Sequence, residues 1–144
     1  MLLNICISLF VIMELANVLT LYFHPDTKQF NGMGVFKAWH NIKDEERYGD
    51  LARYLVNWVA GAKLIFLALL IVILFFGSHE VKVISCAVMI LSIASFFWRL
   101  FPIMKKIDTE GMIDPQNYHK TLAIMISSIM VLFLVAFMIG ILFG

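Results

Sequence analysis

Cysteines, charges and catalytic signatures are all scarce in this 144-residue chain, and each scarcity removes a class of protein. The two cysteines, Cys6 and Cys86, lie far apart inside apolar stretches with no C-x-x-C spacing. That argues against a zinc site or a redox motif and leaves two small buried thiols. Charged residues make up 15% of the chain and the net charge is +1, so there is no field that would attract nucleic acid or an acidic substrate. H-E-x-x-H, a phosphate-cradling Gly-rich loop and G-x-S-x-G are all missing. Asp108, Glu110 and Gly111 offer too few oxygens for a calcium loop. No cofactor is expected, and scattered histidines leave metal binding open. The first segment also lacks the basic start and the small-residue cleavage site of a signal peptide, and it carries Glu14 within its apolar stretch, so it reads as a retained helix.

What the chain has in quantity is hydrophobic residues, 62% of the total, with a mean hydropathy of +0.91. Soluble domains are about half apolar, so the solvent for most of this chain is lipid. Apolar runs at about 2–23, 51–77, 81–101 and 115–143 each reach the ~20 residues that the hydrocarbon thickness requires. The expected fold is a single integral membrane domain. It is all-α, with four transmembrane helices in a bundle and a short amphipathic interfacial helix in the first loop. Loops fall at about 24–50 and 102–114, and the short GSHE turn predicts that the second and third spans are antiparallel neighbours. Asp114 and Pro115 have the residue types of an N-cap and first helical position, which places the start of the last helix there.

Basic residues set the expected orientation. Lys28, Lys37, Lys43, Arg47, Arg53, Arg99, Lys105, Lys106 and Lys120 lie in or beside the two longer loops, against Lys82 on the other side. By the positive-inside rule both loops are cytoplasmic and the N- and C-termini are outside, in a multi-pass protein of the cell (inner) membrane. In the first loop Val35, Phe36, Trp39 and Ile42 recur at helical spacing opposite Lys37, His40 and Lys43, which suits a helix in the headgroup layer. Asn41 to Glu46 reads as a second helical start that breaks at Gly49.

Ionisable residues inside apolar spans are costly and usually have a partner or a task. Glu14 lies nine residues from Phe23 and Lys63 ten from Arg53. At ~1.5 Å per residue both sit roughly 13 to 15 Å below the same face, so they match in depth. Asn17 shares the Glu14 stripe, and Asn57 lies on a polar stripe of the second span, so Glu14, Lys63, Asn17 and Asn57 form the candidate intramembrane set. Such a pair either fixes helix register or lines a path for ions or protons. His24, His40, Arg99 and His119 form a second candidate set, at the cytoplasmic face, where imidazoles beside carboxylates can build a metal or acid/base site. Scattered interfacial residues of this kind are more often solvated or simple anchors.

In the third span Ser85, Ser92, Ser95 and Arg99 make a small-residue seam, and in the fourth Ala136, Gly140 and Gly144 step at small-xxx-small spacing; both suit close helix approach. Three functional classes follow. The first is a channel or transporter built on the Glu14 and Lys63 pair. The second is a non-catalytic subunit that presents its first loop to a cytoplasmic protein. The third is a lipid-modifying enzyme using the cytoplasmic-face residues. The expected surroundings are the lipid bilayer and a homo-oligomer, with no nucleic acid.

Overall fold

The computed structural model describes residues 2–143. Its helices are α1 (Leu2–Phe23), α2 (Lys37–Ile42), α3 (Gly49–Phe76), α4 (His79–Thr109) and α5 (Tyr118–Leu142), with a 3-10 turn at Met33–Val35 before α2. α1, α3, α4 and α5 are long and apolar enough to cross a membrane, which makes this a multi-pass membrane protein. Their outward faces carry Phe75, Phe76, Trp98, Leu91 and Phe143, all largely uncovered. An apolar surface that continuous is unsuited to water and suits lipid.

The helices associate as two pairs, α1 with α3 and α4 with α5, and α1 joins the pairs by packing on α5. Phe10 of α1 makes this junction, with its ring 5.2 Å from Phe133 of α5 and 6.3 Å from Phe66 of α3. Ile7, Leu67, Phe133 and the free thiols Cys6 and Cys86 fill the same core. Gly140 lets α5 approach closely: a Cβ there would stand 2.7 Å from Val83 of α4 and 3.3 Å from Leu3 of α1. Ala136 and Gly140 are therefore spent on packing within the chain, while Gly144 lies outside the described residues. The Ser92, Ser95 and Arg99 seam does the opposite and faces outward.

Several boundaries differ from those read in the sequence. The short turn does not make α3 and α4 close neighbours; they meet only sparingly. A short turn ties two helix ends together, but the packing is decided by side chains, and the inward stripe of α3 is taken up by α1. α4 runs through Pro102 to Thr109. Its 31 residues reach about 46 Å, beyond a ~30 Å hydrocarbon core. The second long loop is thereby reduced to residues 110–117. The last helix starts at Tyr118, because Asp114 is drawn to Lys28 and the capping role falls to Asp108. Asn41 to Glu46 forms no second helix: α2 ends at Ile42 and turns lead directly into α3 at Gly49.

The two loops fold onto each other at one face of the molecule. Lys37 donates its backbone N–H to the Met112 carbonyl at 3.0 Å and Asp114 donates to Val35 at 2.9 Å, an antiparallel bridge joining Phe36 to Ile113. Val35, Met104, Ile113 and Leu122 form a small apolar core under this junction. Val35 and Trp39 are thus buried against protein, and Phe36, half-buried, packs against both cores. Gly34 permits the tight fold, since a Cβ there would lie 2.0 Å from the Asp26 carbonyl oxygen. Residues 24–48 make a lid over one end of the helices.

Candidate functional site

The centre of the molecule is assembled from α1 and α3. Glu14, Asn17 and Leu21 follow at helical spacing on α1, and the exposed Ile12, Leu19 and Phe23 mark the opposite, lipid-facing side. On α3, Lys63 lies with the buried Ala60 and Leu67, opposite the exposed Trp58, Ile65 and Leu69. At roughly 100° per residue, both Glu14 and Lys63 point away from lipid and into the helix assembly. The Lys63 Nζ donates to Glu14 Oε2 at 2.7 Å and to Asn17 Oδ1 at 2.6 Å.

Asn17 is the hinge of this arrangement. Its carbonyl oxygen is taken by Lys63, and its Nδ2 donates to the backbone carbonyls of Phe30 and Asn31, the latter at 3.3 Å. The lid segment therefore reaches back along α1 to Asn17, six residues inside the end of that helix. Phe30 and Asn31 turn their carbonyls inward through left-handed backbone conformations, with φ of 50° and 57°. Asn31 then accepts a hydrogen bond from the Tyr118 hydroxyl of α5 at 2.9 Å. A hydrogen-bonded chain thus runs from Lys63 at mid-helix through Asn17 and the lid to the first turn of α5. Sequence reading missed Asn31 and Tyr118; the signal for Asn31 was the Asn31-Gly32 dipeptide, a turn signature that favours left-handed backbone.

Glu14 and Lys63 are not sealed. Their side chains keep 22% and 26% of their surface accessible, although both face inward. Glu14 accepts one hydrogen bond, and its second oxygen has no protein partner among the described residues. A carboxylate offers about four acceptor positions, so this group has capacity left over. Asn57, grouped with the pair on sequence grounds, is not part of it. It stands about 120° round α3 from Lys63 and is exposed, beside Arg53 and the lid.

The second candidate set does not converge. His24 is exposed just past α1, and His40 is exposed with its Nε2 3.2 Å from the Gly34 carbonyl. Arg99 lies on the outer face of α4 with its guanidinium 5.0 Å from the Trp98 ring centre. His119 alone is buried, and its partner is Asp108: Nδ1 to Oδ2 is 2.6 Å, while the Asp108 carboxylate also accepts the backbone N–H groups of His119 at 2.9 Å and Asn117 at 3.1 Å. Those N–H groups are the unpaired donors at the start of α5. Asp108 is therefore a helix cap delivered from the end of α4, a role that 9 to 11 residues of separation hid from local reading. Among the described residues no three His, Cys, Asp or Glu side chains gather as a metal site.

The lid itself is tied by surface ion pairs. Asp26 accepts from Lys43 at 2.9 Å and from the Trp39 indole at 2.6 Å, and these bonds hold its carboxyl below the usual carboxylate range. The hydrogen bond and charge of Lys28 do the same for Asp114. Lys37 closes the junction by donating to the Gly111 carbonyl at 2.7 Å. No protein family, curated protein or solved structure matches this chain.

Proposed function

We propose that this is a channel- or transporter-type membrane protein in which Glu14 and Lys63 form the polar centre of a path for a small ion or proton. The supporting observation is the inward-facing ion pair that keeps about a quarter of its side-chain surface accessible and leaves carboxylate acceptors unfilled. A pair whose work is only to fix register is better served by full burial and saturation, because accessible charge at mid-membrane draws water or ions with it. In this reading the four long helices cross the bilayer as a bundle. α2 lies at headgroup level on the cytoplasmic side with both long loops, following the clustering of basic residues there. The lid is coupled to the centre through Asn17, so the ionic state of the pair and the position of the lid change together.

The test is flux in proteoliposomes loaded with a pH-sensitive dye or with dyes for potassium and chloride, under an imposed diffusion potential. Wild-type protein is expected to carry at least one of the three above empty vesicles. Glu14→Gln and Lys63→Met should each abolish that flux while the protein still folds. No flux of any of the three ions, or full flux in both variants, overturns the proposal.

A further inference from the structure

A polar cavity lies at the loop-side ends of α1 and α3, under the edge of the lid. It measures about 260 Å³ and is half open, and Tyr22, Asp26, Lys43, Asp44, Arg53 and Asn57 supply its polar wall. Leu21 and Val56 give it an apolar floor. On α1 Tyr22 is turned roughly 80° from Glu14, and Asn57 roughly 120° from Lys63 on α3. The cavity is therefore round the side of the hairpin from the ion pair, and it stands whether or not that pair conducts ions.

Its charges alternate and balance. Lys43 is bonded to Asp26 at 2.9 Å. Arg53 donates to the Lys43 carbonyl at 2.8 Å and lies 3.5 Å from Asp44. Two cations and two carboxylates thus line the cavity already paired with one another, with Asp50 outside the cavity 3.9 Å from Arg53. Beside them on α3, Tyr54 and Trp58 are both more than three-fifths exposed, the placement of aromatic residues at the headgroup level of a bilayer. An open, net-neutral pocket at that level, too small for a drug-sized molecule, suits a compact group carrying both signs of charge.

We infer that this cavity holds the headgroup of a phospholipid with a phosphate and a primary ammonium, that is, a phosphatidylethanolamine. Arg53 and Lys43 meet the phosphate as charged donors, with Tyr22 and Asn57 as neutral ones. Asp44 and Asp26 accept the N–H groups of the ammonium. A choline headgroup has no N–H to give, and an anionic glycerol headgroup adds a negative charge and brings no ammonium to the remaining acceptor positions of the two carboxylates.

The experiment is native mass spectrometry of the full-length protein with phosphatidylethanolamine, phosphatidylcholine and phosphatidylglycerol of identical acyl chains in competition. Phosphatidylethanolamine should be retained over the other two by roughly tenfold, the worth of one charge-assisted hydrogen bond. Arg53→Gln should lower retention of all three, and Asp44→Asn should reduce the preference alone, leaving total retention unchanged. Both side chains are exposed, so the variants should unfold at the wild-type temperature; if Arg53→Gln does not, Lys43→Gln serves in its place. Equal retention of the three lipids, or a preference untouched by Asp44→Asn, overturns the inference.

Discussion

Asp108 with His119 and Glu14 with Lys63 are both short polar contacts between helices, at 2.6 and 2.7 Å, but they are built differently. The Asp108 side chain is 2% exposed and accepts from two backbone N–H groups and an imidazole. It is used up. Glu14 is 22% exposed and accepts from one lysine. It is not. A saturated, sealed carboxylate has no room for a changing partner and serves the fold. One with open acceptors, beside a cation whose second partner, Asn17, also holds the lid, has room for a changing partner, as ion handling requires.

The comparison breaks most readily at Asp108. Asp108→Ala would leave an imidazole and two helix-terminal N–H groups without their acceptor in a buried place. Each unsatisfied buried donor costs about 1 to 3 kcal/mol, so a loss of about 3 kcal/mol or more is expected in detergent unfolding. Flux per folded molecule should be unchanged. A stable Asp108→Ala protein that has lost flux would exchange the roles assigned to the two sites.

The Glu14 and Lys63 pair should cost less to break. In sealed sites removal of one partner costs about 3 to 5 kcal/mol, and lone charges in a membrane can neutralise or reach water. With a quarter of its surface accessible, the pair should lose about 1 to 3 kcal/mol in Lys63→Met or Glu14→Gln, and the double variant should recover much of it. Additive losses in unfolding temperature would mean that the 2.7 Å contact carries no coupling. Asn17→Ala sharpens the same point from the other side. It should increase hydrogen exchange at residues 30–34 while leaving the α4 and α5 pair protected.

The ion pairs of the lid give a smaller, pH-dependent effect. Asp26 and Asp114 have carboxyls lowered by Lys43 and Lys28 respectively, so they bind protons less readily folded than unfolded. Their contribution is complete above the usual carboxylate pKa of about 4 and is lost as the pH falls through the lowered values. Backbone amides of Gly34, Lys37 and Asp114, which bond across the lid, should therefore lose protection on going from about pH 5 to about pH 3, after correction for intrinsic exchange rates. Asp26→Asn combined with Asp114→Asn should flatten that dependence. Both acids are exposed, so the unfolding temperature of the whole molecule should hardly respond.

How far the sequence carried these conclusions depended on range. Spans were legible because hydropathy over about 20 residues is a local sum, and the depth match of Glu14 and Lys63 was legible because helical rise is uniform. Angular position was legible for Asn17, on the same helix as Glu14, and misleading for Asn57, whose stripe points to the lid. The Asp108 cap lay hidden because two helices must first be brought end to end. Asp114, by contrast, has the right residue type for a cap but is engaged by Lys28, 86 residues away, and the role falls to Asp108. Hydropathy falls after Phe101 although α4 continues to Thr109, because a helix can outlast its apolar run where protein covers it: Met104 and Asp108 are buried by the second loop and α5.

Arg99 offers the smallest effect and a control for the rest. It was grouped with His119 on sequence grounds, and the structure separates them: one is on the outer face of α4, the other sealed against Asp108. Its guanidinium lies over Trp98, the next residue in the chain, and that ring is itself 75% exposed. An exposed cation–π contact of this kind is worth about 0.5 to 1 kcal/mol, and neighbours in sequence meet in the unfolded chain as well, which reduces the difference. Arg99→Gln should therefore shift stability by about 0.5 kcal/mol or less and leave flux intact, measured by the same unfolding and vesicle assays. A loss as large as that of Lys63→Met would show that an outward-facing charge can matter as much as an inward-facing one. Orientation would then no longer be what distinguishes the Glu14 and Lys63 centre from the rest of the charged surface.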